Sequence, residues 1–111
     1  MTHAQALVRA GVEPPARLQA LLTLVLGRDE VLVARLDVLD GDSIRGAVAA
    51  GTERFGAIDA LVNNAGYGAY GPLEATPMSV IRRQFDVNLF GLVETIQTVL
   101  PAMRAQRSGV I

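Results

Sequence analysis

The chain alternates between short apolar segments and longer ones in which apolar residues recur every three or four positions. The short segments are Ala4 to Val8, which is followed by Arg9, then Val31 to Val38 and Ile58 to Asn63. Val31 to Val38 is β-branched and apolar on both faces apart from Arg35, a composition typical of a buried parallel strand. The last two residues begin another apolar segment. We predict that these short segments form strands.

Two helices are predicted between the first three strands, each with recognisable end signals. Pro14 begins the first, because proline tolerates the first helical turn, and Gly27 ends it. The second begins at a cap, Asp40 or Asp42, and ends at Gly56. Their apolar faces are Leu18, Leu21, Leu22 and Val25 in the first, and Ile44, Ala47, Val48 and Phe55 in the second.

A third, longer helix is predicted from about Pro77 to Gln106. Thr76 and Pro77 read as an N-cap and a first-turn residue. Pro101 lies inside the pattern and predicts a kink or a loosening of the last turns. The apolar stripe comprises Ile81, Phe85, Leu89, Leu92, Ile96, Val99 and Met103. Strands and helices in strict alternation predict an α/β fold with a parallel sheet.

Composition narrows the class of protein. With 111 residues the chain suits one domain, and half of its residues are hydrophobic. The net charge of -1 comes without a basic stripe, so nucleic acid is not an expected partner. No cysteine is present, and we predict no metal. No apolar run approaches the ~20 residues of a membrane helix, so we expect a soluble, cytoplasmic protein without membrane contact.

The segment "LVNNAGYGAYG", from Leu61 to Gly71, places two amides and several small residues where a predicted strand ends. Ligands of parallel α/β sheets bind outside the carboxyl ends of the strands. Ala65, Gly66 and Gly68 leave the backbone uncovered for close approach of a ligand. The alternative is a glycine-rich turn whose asparagines cap strand ends. Residue chemistry alone favours neither.

Several motifs occur in a fixed order: "LDV" at Leu36 to Val38, "FGAIDALVNNAG" at Phe55 to Gly66, "FDVNLFG" at Phe85 to Gly91, then "LPAM" and "SGVI". In this order they resemble the middle of the short-chain dehydrogenase/reductase family. The resemblance implies an incomplete Rossmann-type, doubly wound parallel sheet whose first strand and C-terminal half are absent. Residues 1–111 would then be part of a dinucleotide-binding domain.

The resemblance assigns cofactor roles to two strand ends. Asp37 and Val38 match the pair that holds the adenine ring, through a carboxylate and a backbone N–H. Asn64, Ala65 and Gly66 match the positions that lie along the cofactor ribose. The residue-based alternative for Asp37 is a cap near the helix that follows.

Two further positions match functional residues of the family. Asn88 matches the catalytic asparagine, which supports a water linked to a catalytic lysine. Without the family, a buried asparagine that satisfies a neighbouring backbone is the commoner reading. Arg9 resembles the arginine that receives the 2′-phosphate of NADP, which makes NADP, or otherwise NAD, the expected cofactor; a solvated arginine is the alternative.

The family's catalytic serine and its tyrosine and lysine have no counterpart, and the chain contains no lysine at all. The glycine-rich phosphate loop is missing too. We therefore expect an inactive fragment of an NAD(P)-dependent oxidoreductase that interconverts alcohols and carbonyls, homo-oligomeric in its complete form. The alternative is a non-catalytic remnant that acts through partner contacts or weak nucleotide binding. In the family, the first strand of the sheet lies between the second and the fourth. Because this chain lacks the family's first strand, each half of the sheet is expected to keep an exposed apolar edge.

Overall fold

A computed structural model describes residues 7–10 and 31–111. Two strands, β1 (Leu7–Ala10) and β2 (Val33–Leu36), pair in parallel, with Leu7 opposite Val33 and Ala10 opposite Leu36. The parallel arrangement agrees with the predicted α/β sheet. The part of the first predicted strand before Leu7, and the whole first predicted helix, lie outside the described residues.

Helix α1 (Gly41–Phe55) has the predicted boundaries because both of its ends carry local signals. The Asp40 carboxylate accepts hydrogen bonds from the backbone N–H groups of Asp42 and Ser43, at 3.0 and 3.3 Å. Of the two predicted caps, Asp40 is therefore the one used. Gly56 ends the helix with φ of 84°, a conformation that favours glycine.

The core lies between β2 and α1. Leu36, Val38, Ile44 and Ala47 form one buried cluster, and Ile44 is fully buried. Burial of such a side chain contributes roughly 1.5–3 kcal/mol. The cluster therefore holds the end of β2 firmly against α1.

Among the described residues, the predicted strand from Ile58 to Asn63 makes a single parallel bridge, between Ala60 and Val110. The Leu61 N–H donates to the Val110 carbonyl and the Val110 N–H donates to the Asp59 carbonyl, both at 2.9 Å. Our prediction that this strand is buried is wrong, because Val62 is 83% exposed. An apolar sequence pattern shows that the side chains of a strand can be buried. It does not show whether a neighbouring strand is present to cover them.

After a 3-10 turn at Leu73–Ala75, one long helical rod runs from Met78 to Gln106. It consists of α2 (Met78–Phe85), a π-helical segment (Asp86–Gly91) and α3 (Leu92–Gln106). The predicted Thr76 cap is wrong. Thr76 donates its hydroxyl to the Pro72 carbonyl at 2.9 Å, and Pro77 is the N-cap residue, without a side-chain bond.

The π segment shifts the buried face of this rod. Its wider turn rotates the helix, and the buried positions from its last residue onward are Gly91, Thr95, Val99 and Met103. Leu89, which lies in the π segment and was predicted in the apolar stripe, is 45% exposed. Phe85, also predicted in the stripe, precedes the π segment and is 55% exposed. Helix α3 continues through Pro101 to Gln106.

Candidate functional site

Three segments that the sequence marked as functional meet on the core cluster. Ala65 and Val87 both pack against the cluster that contains Leu36 and Val38. The first follows the bridge at Ala60, and the second lies in the π segment. The end of β2, the asparagine loop and the middle of the long helix are therefore held side by side.

Asn88 holds the loop directly. Its Nδ2 donates to the Tyr67 carbonyl oxygen at 2.7 Å, and its Oδ1 accepts from the Tyr67 N–H at 3.0 Å. The side chain thus satisfies a neighbouring backbone, as the residue-based alternative predicted. An amide has two donors and two lone pairs, so one N–H and one lone pair remain beyond these two bonds.

Gly66 lets Asn88 approach this closely. A Cβ atom on Gly66 would lie 3.1 Å from Asn88 Oδ1, tighter than an ordinary contact. Asn64 and Gly66 are both exposed, whereas Ala65 between them is half-buried against the core. One small side chain anchors the loop, and its two neighbours stay accessible.

Gln84 contributes a contact that the sequence analysis did not single out. Its Oε1 accepts from the Ala69 N–H at 3.1 Å. Gln84 precedes Asn88 by four residues, so the two amides lie on the same side of the rod. That spacing is the only signal in the sequence, and it is common on helix surfaces.

Asp37 is engaged at the end of β2. Its Oδ1 accepts from the Leu39 N–H at 2.9 Å, and its own N–H donates to Ser43 Oγ at 2.9 Å. The carboxylate therefore shapes the turn into α1, while Asp40 caps that helix. Val38 beside it is buried.

Arg9 lies in β1, opposite Arg35 of β2 in the parallel register. The pairing places two arginine positions next to each other on adjacent strands, close to the strand ends.

Residues 7–10 and 31–111 offer neither a metal site nor a membrane span. No group of three or more His, Cys, Asp or Glu side chains lies close enough to hold a metal ion in these ranges. In the same ranges no helix has the length and apolarity that a membrane span requires.

Comparison with known proteins decides the family. The family model for short chain dehydrogenases matches residues 3–111. The chain belongs to this family. Its motifs "NNAG" and "FDVNLFG" are therefore family motifs, and its parallel sheet is an incomplete Rossmann-type sheet.

Relatives share the sequence over part of their length. An uncharacterized oxidoreductase of Schizosaccharomyces pombe is 44% identical over 88 residues, which cover 78% of this chain and 37% of that protein. Human retinol dehydrogenase 8 is 35% identical over 118 aligned positions, covering 94% of this chain and 37% of that protein. The chain thus spans little more than a third of the length of these relatives.

Solved structures share the fold. Levodione reductase superimposes with a TM-score of 0.83 at 34% identity, covering 95% of this chain and 42% of that chain. A short-chain dehydrogenase from Streptomyces avermitilis gives a TM-score of 0.79 at 31% identity, covering 95% and 37%. The present chain corresponds to about two fifths of each.

Proposed function

We propose that residues 1–111 are part of the dinucleotide-binding domain of an NAD(P)-dependent oxidoreductase that interconverts small alcohols and carbonyl compounds. The observation that carries the proposal is the meeting of Val38, Ala65 and Val87 on one core cluster. It brings the end of β2, the asparagine loop and Asn88 to one side of the molecule. Family membership supplies the reaction type.

The residues at this place fit a nicotinamide dinucleotide. Asn64 and Gly66 are exposed, and their short side chains leave the backbone open to a flat ligand. Asp37 and Val38 would hold the adenine ring, and Asn64, Ala65 and Gly66 would lie along the ribose. When bound, the cofactor supplies or accepts a hydride.

Asn88 has two tasks in this proposal. One N–H and one oxygen lone pair hold Tyr67 in place. The remaining N–H and lone pair are the groups left to support an ordered water. The hydrogen bonds to Tyr67 fix the orientation of the Asn88 amide. The amide therefore need not rotate to bind the water.

Proton transfer requires groups that this chain does not contain. A tyrosine acts as acid or base near neutral pH only when a neighbouring cation lowers its pKa. In the family a lysine four residues after the catalytic tyrosine supplies this charge, and the chain has no lysine. We therefore propose that the 111-residue chain purified by itself has no hydride-transfer activity, and that its share of the function is binding.

The test uses the two halves of the cofactor separately, with ¹⁵N-labelled protein and NMR. Adenosine 5′-monophosphate is expected to shift the backbone signals of Asp37 and Val38. Nicotinamide mononucleotide is expected to shift those of Asn64 and Gly66. Each ligand serves as the control for the other, because the two sets of residues lie at different strand ends.

Signals that do not move with either ligand at millimolar concentration would refute the proposed cofactor site. Shifts confined to the exposed end of α3, around Arg104, would indicate non-specific binding of phosphate and count equally against it. Oxidation of NADPH by the purified chain with any carbonyl substrate, above a mock preparation, would refute the proposed lack of activity.

A further inference from the structure

The long helix holds the asparagine loop through two amides, not one. Asn88 bonds both backbone groups of Tyr67, and Gln84 bonds the N–H of Ala69 at 3.1 Å. The two helix residues are four apart, and the two loop residues are two apart. Four helical residues rise about 6 Å and two extended residues rise about 6.6 Å, so the two spacings match closely. The loop therefore runs alongside the helix in the opposite chain direction, with Tyr67 held at Asn88 and Ala69 held at Gln84.

Gly68, between the two points, suits this arrangement. A Cβ atom on Gly68 would lie 3.0 Å from the ring and hydroxyl atoms of Tyr70. The Tyr70 ring therefore lies over the Gly68 backbone. One hydrogen-bonded residue would fix the position of the loop but leave it free to swing, whereas two also fix its direction.

We propose that Gln84 is a positioning residue, which together with Asn88 fixes the direction of Tyr67–Ala69 and so presents Asn64–Gly66 to the nicotinamide half of the cofactor. The inference rests on the proposed function for its ligand. Gly66 is joined directly to Tyr67, so a change in the direction of Tyr67–Ala69 turns the peptide group between Gly66 and Tyr67 even while Ala65 stays packed on the core. Gln84 itself need not touch the cofactor.

The test compares three variants of the 111-residue protein by site-resolved amide hydrogen exchange. Gln84→Met keeps the length of the side chain and removes its oxygen acceptor. Gln84→Glu keeps an acceptor at the same position. Gln97→Met is the matched control, because Gln97 is an exposed glutamine of α3. The Ile44 amide, bonded to the Asp40 carbonyl at 3.0 Å in the core, reports whether the fold is intact.

In Gln84→Met we expect the Ala69 amide to exchange roughly five times faster, the effect of one lost neutral hydrogen bond. Exchange at Tyr67 should rise less, because Asn88 still holds it, and exchange at Ile44 should not change. Gln84→Glu should restore the slow exchange at Ala69, and Gln97→Met should resemble the wild type. Nicotinamide mononucleotide should bind Gln84→Met roughly twofold or more weakly, since only the correctly held fraction of the loop is competent.

Unchanged Ala69 exchange in Gln84→Met, or no restoration in Gln84→Glu, would overturn the inference. Equal affinity of Gln84→Met and the wild type for nicotinamide mononucleotide would overturn it as well. A wild type that binds no nicotinamide mononucleotide would overturn the proposed function, and with it the positioning role. Titration of the wild type with nicotinamide mononucleotide distinguishes the two failures. Binding by the wild type leaves only the positioning role of Gln84 in question, whereas no binding refutes the proposed function.

Discussion

A Cβ atom added to Gly91 would lie 2.7 Å from the Cβ atom of Val38 and 2.8 Å from the Val38 carbonyl oxygen. The long helix and the end of β2 therefore touch at a place where only glycine fits. Gly91 is the last residue of the π segment that contains Asn88. The contact between Gly91 and Val38 therefore sets the distance between Asn88 and the proposed adenine-binding pair, Asp37 and Val38. The glycine of "FDVNLFG" thus has a packing role in addition to its place in the motif.

Gly91→Ala is expected to destabilise the protein. Overpacking costs about 1–3 kcal/mol, and the better helix propensity of alanine offsets up to ~1 kcal/mol of it. Gly46→Ala is the matched control, because nothing lies within 4 Å of a Cβ atom there and Gly46 is inside α1. Gly46→Ala should stabilise by up to ~1 kcal/mol. Urea titrations in which both variants change the free energy of unfolding in the same direction would contradict the packing role of Gly91.

The contrast between α1 and the long helix shows what the sequence could predict. The ends of α1 were predicted because Asp40 and Gly56 act on their immediate neighbours. The π segment was not predicted, since residues as distant along the chain as Val38 and Gly91 meet there. Local propensities do not encode such a contact.

The candidate site divides in the same way. Asn88 stood out because it matches the family's catalytic asparagine, and the structure gives it two hydrogen bonds to Tyr67. Gln84 did not stand out, because a glutamine on a half-exposed helix face has many ordinary explanations. Only the position of Ala69 opposite it reveals the contact.

Asn88→Asp is expected to lower the free energy of unfolding by about 1–3 kcal/mol. The substitution keeps an acceptor for the Tyr67 N–H, but it replaces the donor that faces the Tyr67 carbonyl oxygen at 2.7 Å with another oxygen. Asn64→Asp, at an exposed loop position, serves as the control and should cost much less. Equal losses in thermal denaturation would show that the Asn88 donor contributes nothing.

Arg107 ends α3 with φ of 57°, in the left-handed region where residues with a Cβ atom are strained. Arg107→Gly is therefore expected to stabilise the protein by about 0.5–1 kcal/mol, net of the entropy that glycine adds to the unfolded chain. Arg104→Gly, within the last turn of the same helix, should instead destabilise by about 1 kcal/mol. If the denaturant midpoints of Arg107→Gly and Arg104→Gly both fall below that of the wild type, the backbone at Arg107 is not strained.

The long helix carries apolar side chains that nothing covers within the described part of the chain. Phe85, Leu89, Phe90 and Val93 are 55%, 45%, 62% and 40% exposed. We expect the protein to self-associate through this face. Val93→Asp should weaken association at least roughly tenfold, because a buried, unpaired carboxylate is costly. Ala49→Asp, at an exposed position of α1 outside this face, is the control. A wild type that sediments as a monomer at all concentrations would contradict the prediction.

Preference for NADP over NAD is the prediction that depends on Arg9. Arg9 lies in β1 next to the position of Arg35, near the strand ends where the adenosine ribose of a bound cofactor would lie. A guanidinium suits a phosphate there, because it forms bidentate, charge-assisted hydrogen bonds. An acidic residue would instead bind the ribose hydroxyl of NAD.

Adenosine 2′,5′-bisphosphate and adenosine 5′-monophosphate differ only in the phosphate that Arg9 is proposed to receive. The wild type should bind the bisphosphate more tightly, and Arg9→Ala should lose most of that difference while its affinity for the monophosphate changes little. A charge-assisted hydrogen bond contributes about 1.5–3 kcal/mol, so a loss of at least roughly tenfold is expected. Arg104→Ala, on the distant end of α3, controls for the general loss of positive charge. Equal binding of the two ligands by the wild type, or an unchanged preference in Arg9→Ala, would show that Arg9 does not receive the 2′-phosphate.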